Sequence, residues 1–83
     1  MVGLAFHRTL GECLVAIDQV SHRLVMDSGR EKLLLPLTSA PILSAAASPY
    51  GYDVAWLTRA GELVVYDPNE NETRIRYRPG EES

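Results

Sequence analysis

The residues of this chain equipped to do chemistry are two histidines, one cysteine and an aspartate that recurs at a fixed distance. His7 and His22 are not spaced as a metal pair on one strand, and neither belongs to a recognised nucleophile motif with Ser or Cys, so hydrogen-bonded or exposed histidines explain them best. Cys13 has no second thiol for a disulfide or a metal knuckle and reads as a small, half-buried strand residue. Asp27 and Asp67 would make a carboxylate pair for acid catalysis, but each ends an apolar run just before polar turn residues, which is the place of a turn cap. Asn71-Glu72-Thr73 matches the glycosylation acceptor pattern, which acts only on exported chains. The start MVGLAFHRTL has neither the charged beginning nor the apolar stretch of a secretory signal, and the expectation is a cytoplasmic protein. No catalytic constellation, metal-ligand set or cofactor motif stands out, so the reading is not an enzyme, with no cofactor and no metal.

Charge narrows the partners. The net charge is −3. Residues 1–40 balance four basic against four acidic side chains, whereas residues 41–83 hold four against seven. An acidic chain without a basic cluster does not bind nucleic acid well, because phosphate neutralisation supplies most of that affinity. The local run Arg74, Arg76, Arg78 reads as a solvated edge, partly neutralised by Glu70, Glu72, Glu81 and Glu82. No apolar run approaches the roughly 18 residues of a membrane span. At 83 residues and 46% hydrophobic the chain is ordinary globular material. A chain of this size buries only about 60 to 65% of its unfolded surface, so its core is marginal.

The elements that hold these residues come in two copies. Sliding the chain on itself by forty residues superposes Ala5 on Ala45, Gly11 on Gly51, Val25 on Val65 and Asp27 on Asp67. Between these anchors Val2 falls on Ile42, Leu14 on Val54, Ile17 on Leu57, Leu24 on Val64 and Leu35 on Ile75 without a gap. A period of this length marks a solenoid, propeller or array. Each copy reads as four strands: about 2–9, 13–18, 23–27 and 32–37, then about 42–48, 53–58, 62–67 and 73–78. Arg59-Ala60-Gly61 suits a short hairpin with glycine left-handed, and Asp27 to Arg30 and Asp67 to Asn71 are polar turns.

The second and third strands of each copy do not alternate. Leu14 to Ile17, Val54 to Leu57, Leu24 to Met26 and Leu63 to Tyr66 are continuous apolar runs, which predict sheets covered on both faces. Trp56 belongs to such a run and is expected in the core with its indole N–H needing a partner. The fourth strands differ, for Pro36 interrupts the first copy and Thr73 to Arg78 alternates in the second. Both are edge features. The arginines are expected outward there, with Ile75 and Tyr77 toward a neighbouring sheet. Ala45, Ala46 and Ala47 suit a first strand crowded against an axis.

With these pieces in place, the chain resembles a β-propeller. The second copy in particular resembles a divergent WD-type blade: Ser48-Pro49 with Gly51 after the first strand, Val54 to Leu57, the Ala60-Gly61 turn, and Leu63 to Asp67. Tyr66-Asp67 and Met26-Asp27 stand where that family has Trp-Asp, and no Gly-His pair precedes the first strand. The resemblance implies an all-β fold of two four-stranded antiparallel blades of about 40 residues each, over 1–40 and 41–80, with 81–83 a polar tail. It also implies that partners are bound by loops at one end of the disc, here through Gln19, His22, Thr38, Arg59 and Glu62.

Two blades leave an outer apolar face on either side, and repeat units need about three or more neighbours for stability. The expected function is a non-catalytic protein-interaction or scaffold module, completed by homo-oligomerisation or by another protein subunit. Since rings close at about 4 to 8 blades, a trimer or tetramer is favoured. The alternative is a small-ligand or glycan-binding propeller with sites between blades. Neither nucleic acid nor membrane is an expected partner.

Overall fold

A computed structural model of the chain describes residues 2–48 and 52–79. Pro49 and Gly51 of the expected turn, and Glu81 and Glu82 of the expected tail, lie outside the described residues. The backbone forms β1 (Gly3–His7), β2 (Gly11–Asp18), β3 (Arg23–Asp27), β4 (Lys32–Leu34), β5 (Ile42–Ala47), β6 (Val54–Thr58), β7 (Leu63–Asp67) and β8 (Glu72–Tyr77). They pair in chain order into two four-stranded antiparallel sheets, β1-β2-β3-β4 and β5-β6-β7-β8. The expected strands are therefore present, and their ends move for local reasons. β1 stops at His7 because the His7 Nδ1 accepts the N–H groups of Thr9 (3.1 Å) and Leu10 (3.3 Å), which turns the chain. Beyond β4, Leu35 still donates its N–H to the Leu24 carbonyl at 3.0 Å, and Pro36, with no N–H, ends the ladder.

The same turn chemistry closes both outer hairpins. The Asp27 carboxylate accepts the N–H of Gly29 at 2.8 Å, and the Asp67 carboxylate accepts that of Asn69 at 2.9 Å. These are Asx turns, which explains why aspartate recurs at the repeat distance. The inner hairpins differ in length. In the first, Asp18 pairs with Arg23 and the left-handed residue before β3 is His22 (φ 53°). In the second, Thr58 donates to the Glu62 carbonyl and the left-handed residue is Gly61 (φ 86°).

One apolar cluster lies between the sheets, formed by residues such as Val15, Leu24 and Met26 of the first and Ile42, Val54 and Trp56 of the second. Contacts between the sheets run chiefly through β1, β2 and β5. Small residues allow that approach: a side chain at Gly3 would stand 3.9 Å from the Ala47 methyl. Burial within the inner strands alternates between buried and half-buried positions, so among the described residues each sheet is fully covered on one face only. The continuous apolar runs had predicted cover on both.

The covered faces are not equivalent ones. In β2 the Val15 carbonyl addresses β1, accepting from Val2 N–H, and Val15 is fully buried. In β6 the Thr58 N–H addresses β7, and Thr58 is buried on the face that holds Trp56 and Val54. β2 and β6 occupy the same place in their sheets and run the same way. For L-residues, a residue that addresses the earlier neighbour points its side chain to one face and a residue that addresses the later neighbour points it to the other. The two sheets therefore stack in the same sense, the front of one on the back of the next.

Candidate interaction surface

The five residues singled out as partner-binding positions all lie at one end of the molecule, where three connections are tied together. Gln19 reaches across from the β2–β3 turn and donates its side-chain amide to the Ile42 carbonyl at 2.8 Å. The His22 carbonyl accepts both the N–H (2.8 Å) and the hydroxyl (3.0 Å) of Thr38. The single proton of that hydroxyl is shared between the His22 and Ala40 carbonyls. Arg59 donates its N–H to the Pro41 carbonyl at 2.9 Å, and its side chain is exposed. Glu62 is different. It is buried, and its carboxylate takes Arg78 Nε at 2.5 Å and lies 3.9 Å from Arg76 Nε. Thr38, Glu62 and the Gln19 amide hold this end together, while Arg59 presents its side chain to solvent.

The arginines of β8 are engaged rather than merely solvated. Arg74 bridges Asp67 (2.6 Å) and Asp53 (3.2 Å), and Arg76 and Arg78 share Glu62. Among the described residues their neutralising partners are Asp53, Glu62 and Asp67, and not the expected Glu70 and Glu72; Glu70 is taken by Arg8 at 2.6 Å. Burial pushes the Asp67 carboxyl upward, but the Arg74 guanidinium and the N–H groups of Asn69 and Glu70 outweigh it and hold the carboxyl below its ordinary range. The same bond raises the Arg74 guanidinium.

At the opposite end the β1–β2 turn of the first sheet clasps the β7–β8 turn of the second. Arg8 donates its N–H to the Asn69 side-chain oxygen and its guanidinium to the Asn69 carbonyl, both at 2.7 Å. Phe6 packs against Tyr52 with ring centroids 5.8 Å apart. Between them lies an open polar cleft of about 340 Å³, lined by Arg8, Tyr52, Asp67, Asn69, Glu70 and Arg74. This clasp joins residues more than sixty positions apart in the chain, and no local motif announced it.

The remaining reactive side chains are occupied structurally. Cys13 is fully buried, not half-buried, and burial followed by the charge of Asp27 pushes its thiol upward, away from the nucleophilic thiolate. His7 serves as a turn acceptor. Among the described residues no three His, Cys, Asp or Glu side chains cluster as metal ligands do. Trp56 is in the core, tilted against Tyr66 at 6.0 Å, and its indole N–H has no hydrogen-bond partner among the described residues.

The largest chemical feature left is apolar. The exposed face of the first sheet carries Leu4 (54% exposed), Leu14 (47%) and Leu34 (57%). Cross-strand register aligns Leu4 with Leu14 and Leu34 with Val25 on that face. The exposed face of the second sheet carries Leu63, Ile75 and Tyr77, aligned through Leu57 with Leu63, Leu63 with Tyr77 and Val65 with Ile75. Ile75 and Tyr77 had been expected to face a neighbouring sheet; within the chain the second sheet's other face is the covered one, and they are 56% and 44% exposed. No protein-family model matches the chain, and neither does any curated protein or solved structure.

Proposed function

We propose that the chain is a non-catalytic protein-interaction module built as two propeller-type blades, a scaffold piece completed by other copies or by a second protein. The observation that carries this reading is the pair of bare apolar sheet faces on opposite sides of one small core. A soluble monomer rarely leaves contiguous apolar area of that kind open, and such faces mark association sites. Same-sense stacking of four-stranded meanders, with the first strands nearest one another, is the arrangement a propeller uses from blade to blade. The reactive side chains of His7, Cys13, Asp27 and Asp67 support a binding role over a catalytic one, because they are already employed in a turn, an ion pair or the core.

The test is the mass and fold of the purified chain with and without candidate subunits. The reading requires that the folded form be an assembly, made of this chain alone or with another protein. A stable, cooperatively folded monomer that captures no partner would end it.

A second reading, a small-ligand or glycan site between blades, is favoured by one feature, the polar cleft between the Arg8 turn and Arg74. Its charged groups are already paired with one another. A ligand must therefore displace an ion pair, and titration calorimetry against a panel of sugars and carboxylates gives measurable heat only if it does.

A further inference from the structure

Resting on the interaction-module reading, the geometry points to a second copy of this chain as the occupant of the exposed face of β1 to β4, which would receive the exposed face of β5 to β8 head-to-tail. This contact would continue the one already made inside the chain. There, the face of the first sheet that carries Val15 packs on the face of the second that carries Val54 and Trp56. By strand place and backbone direction, the open second-sheet face with Leu57, Leu63 and Ile75 is the equivalent of the buried Val15 face. By the same comparison, the open first-sheet face with Leu4, Leu14 and Leu34 is the equivalent of the buried Val54 face. One chain thus owns both halves of a second interface of the kind it already makes. Each half sits on the side where the rotation that relates its own two sheets would next place a sheet.

Charge does not oppose the contact. On the second sheet the face positions Ala46, Ala55, Leu57, Leu63, Val65 and Ile75 carry no charge. On the first, Asp18 lies across from Arg23 and Asp27 across from Lys32, and Glu12, across from Phe6, leaves the rim of the leucine patch with one net negative charge. Such a rim does not attract a nucleic acid or an anionic surface, but it accepts an apolar, uncharged sheet. Because the two patches are different surfaces, the contact is heterologous and propagates until a ring closes, at about 4 to 8 blades.

Two single variants and their mixture test this. Leu14→Glu blocks the first-sheet face and Ile75→Glu the second, while each leaves the other face intact. Each variant alone is expected to lose the wild-type assembly on sedimentation. Mixed, the two are expected to give a 1:1 complex of about twice the chain mass of 9.2 kDa and no larger species, with the tryptophan near-ultraviolet signal of Trp56 restored if either variant alone had lost it. Leu34→Glu and Leu63→Glu must reproduce the pattern, which removes dependence on the folding of any one variant. If Ile75→Glu alone still dimerises, the contact is isologous and the inference is overturned while the module reading stands. If the variants fail to combine although wild-type chains assemble, the inference likewise falls alone. A folded wild-type monomer overturns both.

Discussion

Leu14 and Val54 occupy the same place in the two repeats, yet Val54 is 1% exposed and Leu14 is 47% exposed. One faces the core between the sheets and the other faces outward, because the sheets stack in the same sense and bury opposite faces. Removing the two γ-methyl groups of Val54 by Val54→Ala should cost about 2 kcal/mol in any state of association. Leu14→Ala should change the dissociated chain by no more than about 0.5 kcal/mol, as for surface positions, and should weaken the assembled form. Urea midpoints at low and high protein concentration separate the two. A Leu14→Ala penalty independent of concentration would place Leu14 in the core instead.

Asp67 anchors a turn and an ion pair at once. Its carboxyl is held below the ordinary range in the folded chain, so its contribution is fully present above the unfolded value of about 3.9 and is lost as pH falls through the folded value. Asp67→Asn should cost about 1 kcal/mol at neutral pH, a modest figure because Arg74 is 45% exposed. The variant should also lose part of the wild type's acid sensitivity below about pH 4. Parallel stability curves for the two proteins across that acid range would show that the pair does not hold the turn.

The hairpins before β3 and β7 call for opposite substitutions. At Gly61, with φ 86°, a side-chain carbon would come within 2.8 Å of the Pro79 ring. Gly61→Val should destabilise by roughly 1 kcal/mol or more. His22 holds a left-handed backbone without being glycine, so His22→Gly should be neutral or stabilising by up to about 1 kcal/mol. Thermal midpoints check both, and a loss at His22→Gly equal to that at Gly61→Val would mean the imidazole itself carries the turn.

Trp56 buries its area without a partner for its N–H among the described residues. Trp56→Phe keeps most of the packing and removes an unmade hydrogen bond, and it should cost about 1 kcal/mol or less. Trp56→Ala should cost about 3 to 5 kcal/mol. A Trp56→Phe cost of about 3 kcal/mol, measured by denaturant titration, would show that the indole N–H is bonded after all.

Strand places, turn positions and the two-sheet division were readable because they rest on local chemistry: aspartate before a turn, proline at an edge, glycine in a left-handed hairpin. The left-handed residue of the first hairpin was not, since repeat alignment points to Ser21 opposite Gly61, whereas a longer hairpin moves the role to His22. Nor were the partners of the β8 arginines. Glu70 and Glu72 are nearer in sequence, but pairing across the sheet brings Glu62 and Asp67 closer. The apolar runs of β2 and β6 indicated two faces seeking cover, and the chain supplies cover for only one of each. The binding positions gathered at one end as the strand directions require, but burial removed Glu62 from solvent, a fate its place at the end of a turn did not signal.

The mass of the purified chain in solution, measured by native mass spectrometry or sedimentation at micromolar concentration, is the most direct test of assembly. Two bare faces on opposite sides of a 9.2 kDa unit predict a discrete closed species of two, three or four copies, with three or four favoured on blade number. If a second protein covers the faces instead, the chain alone should aggregate and become soluble and folded only with that protein. A well-folded monomer with a sharp unfolding transition would contradict both.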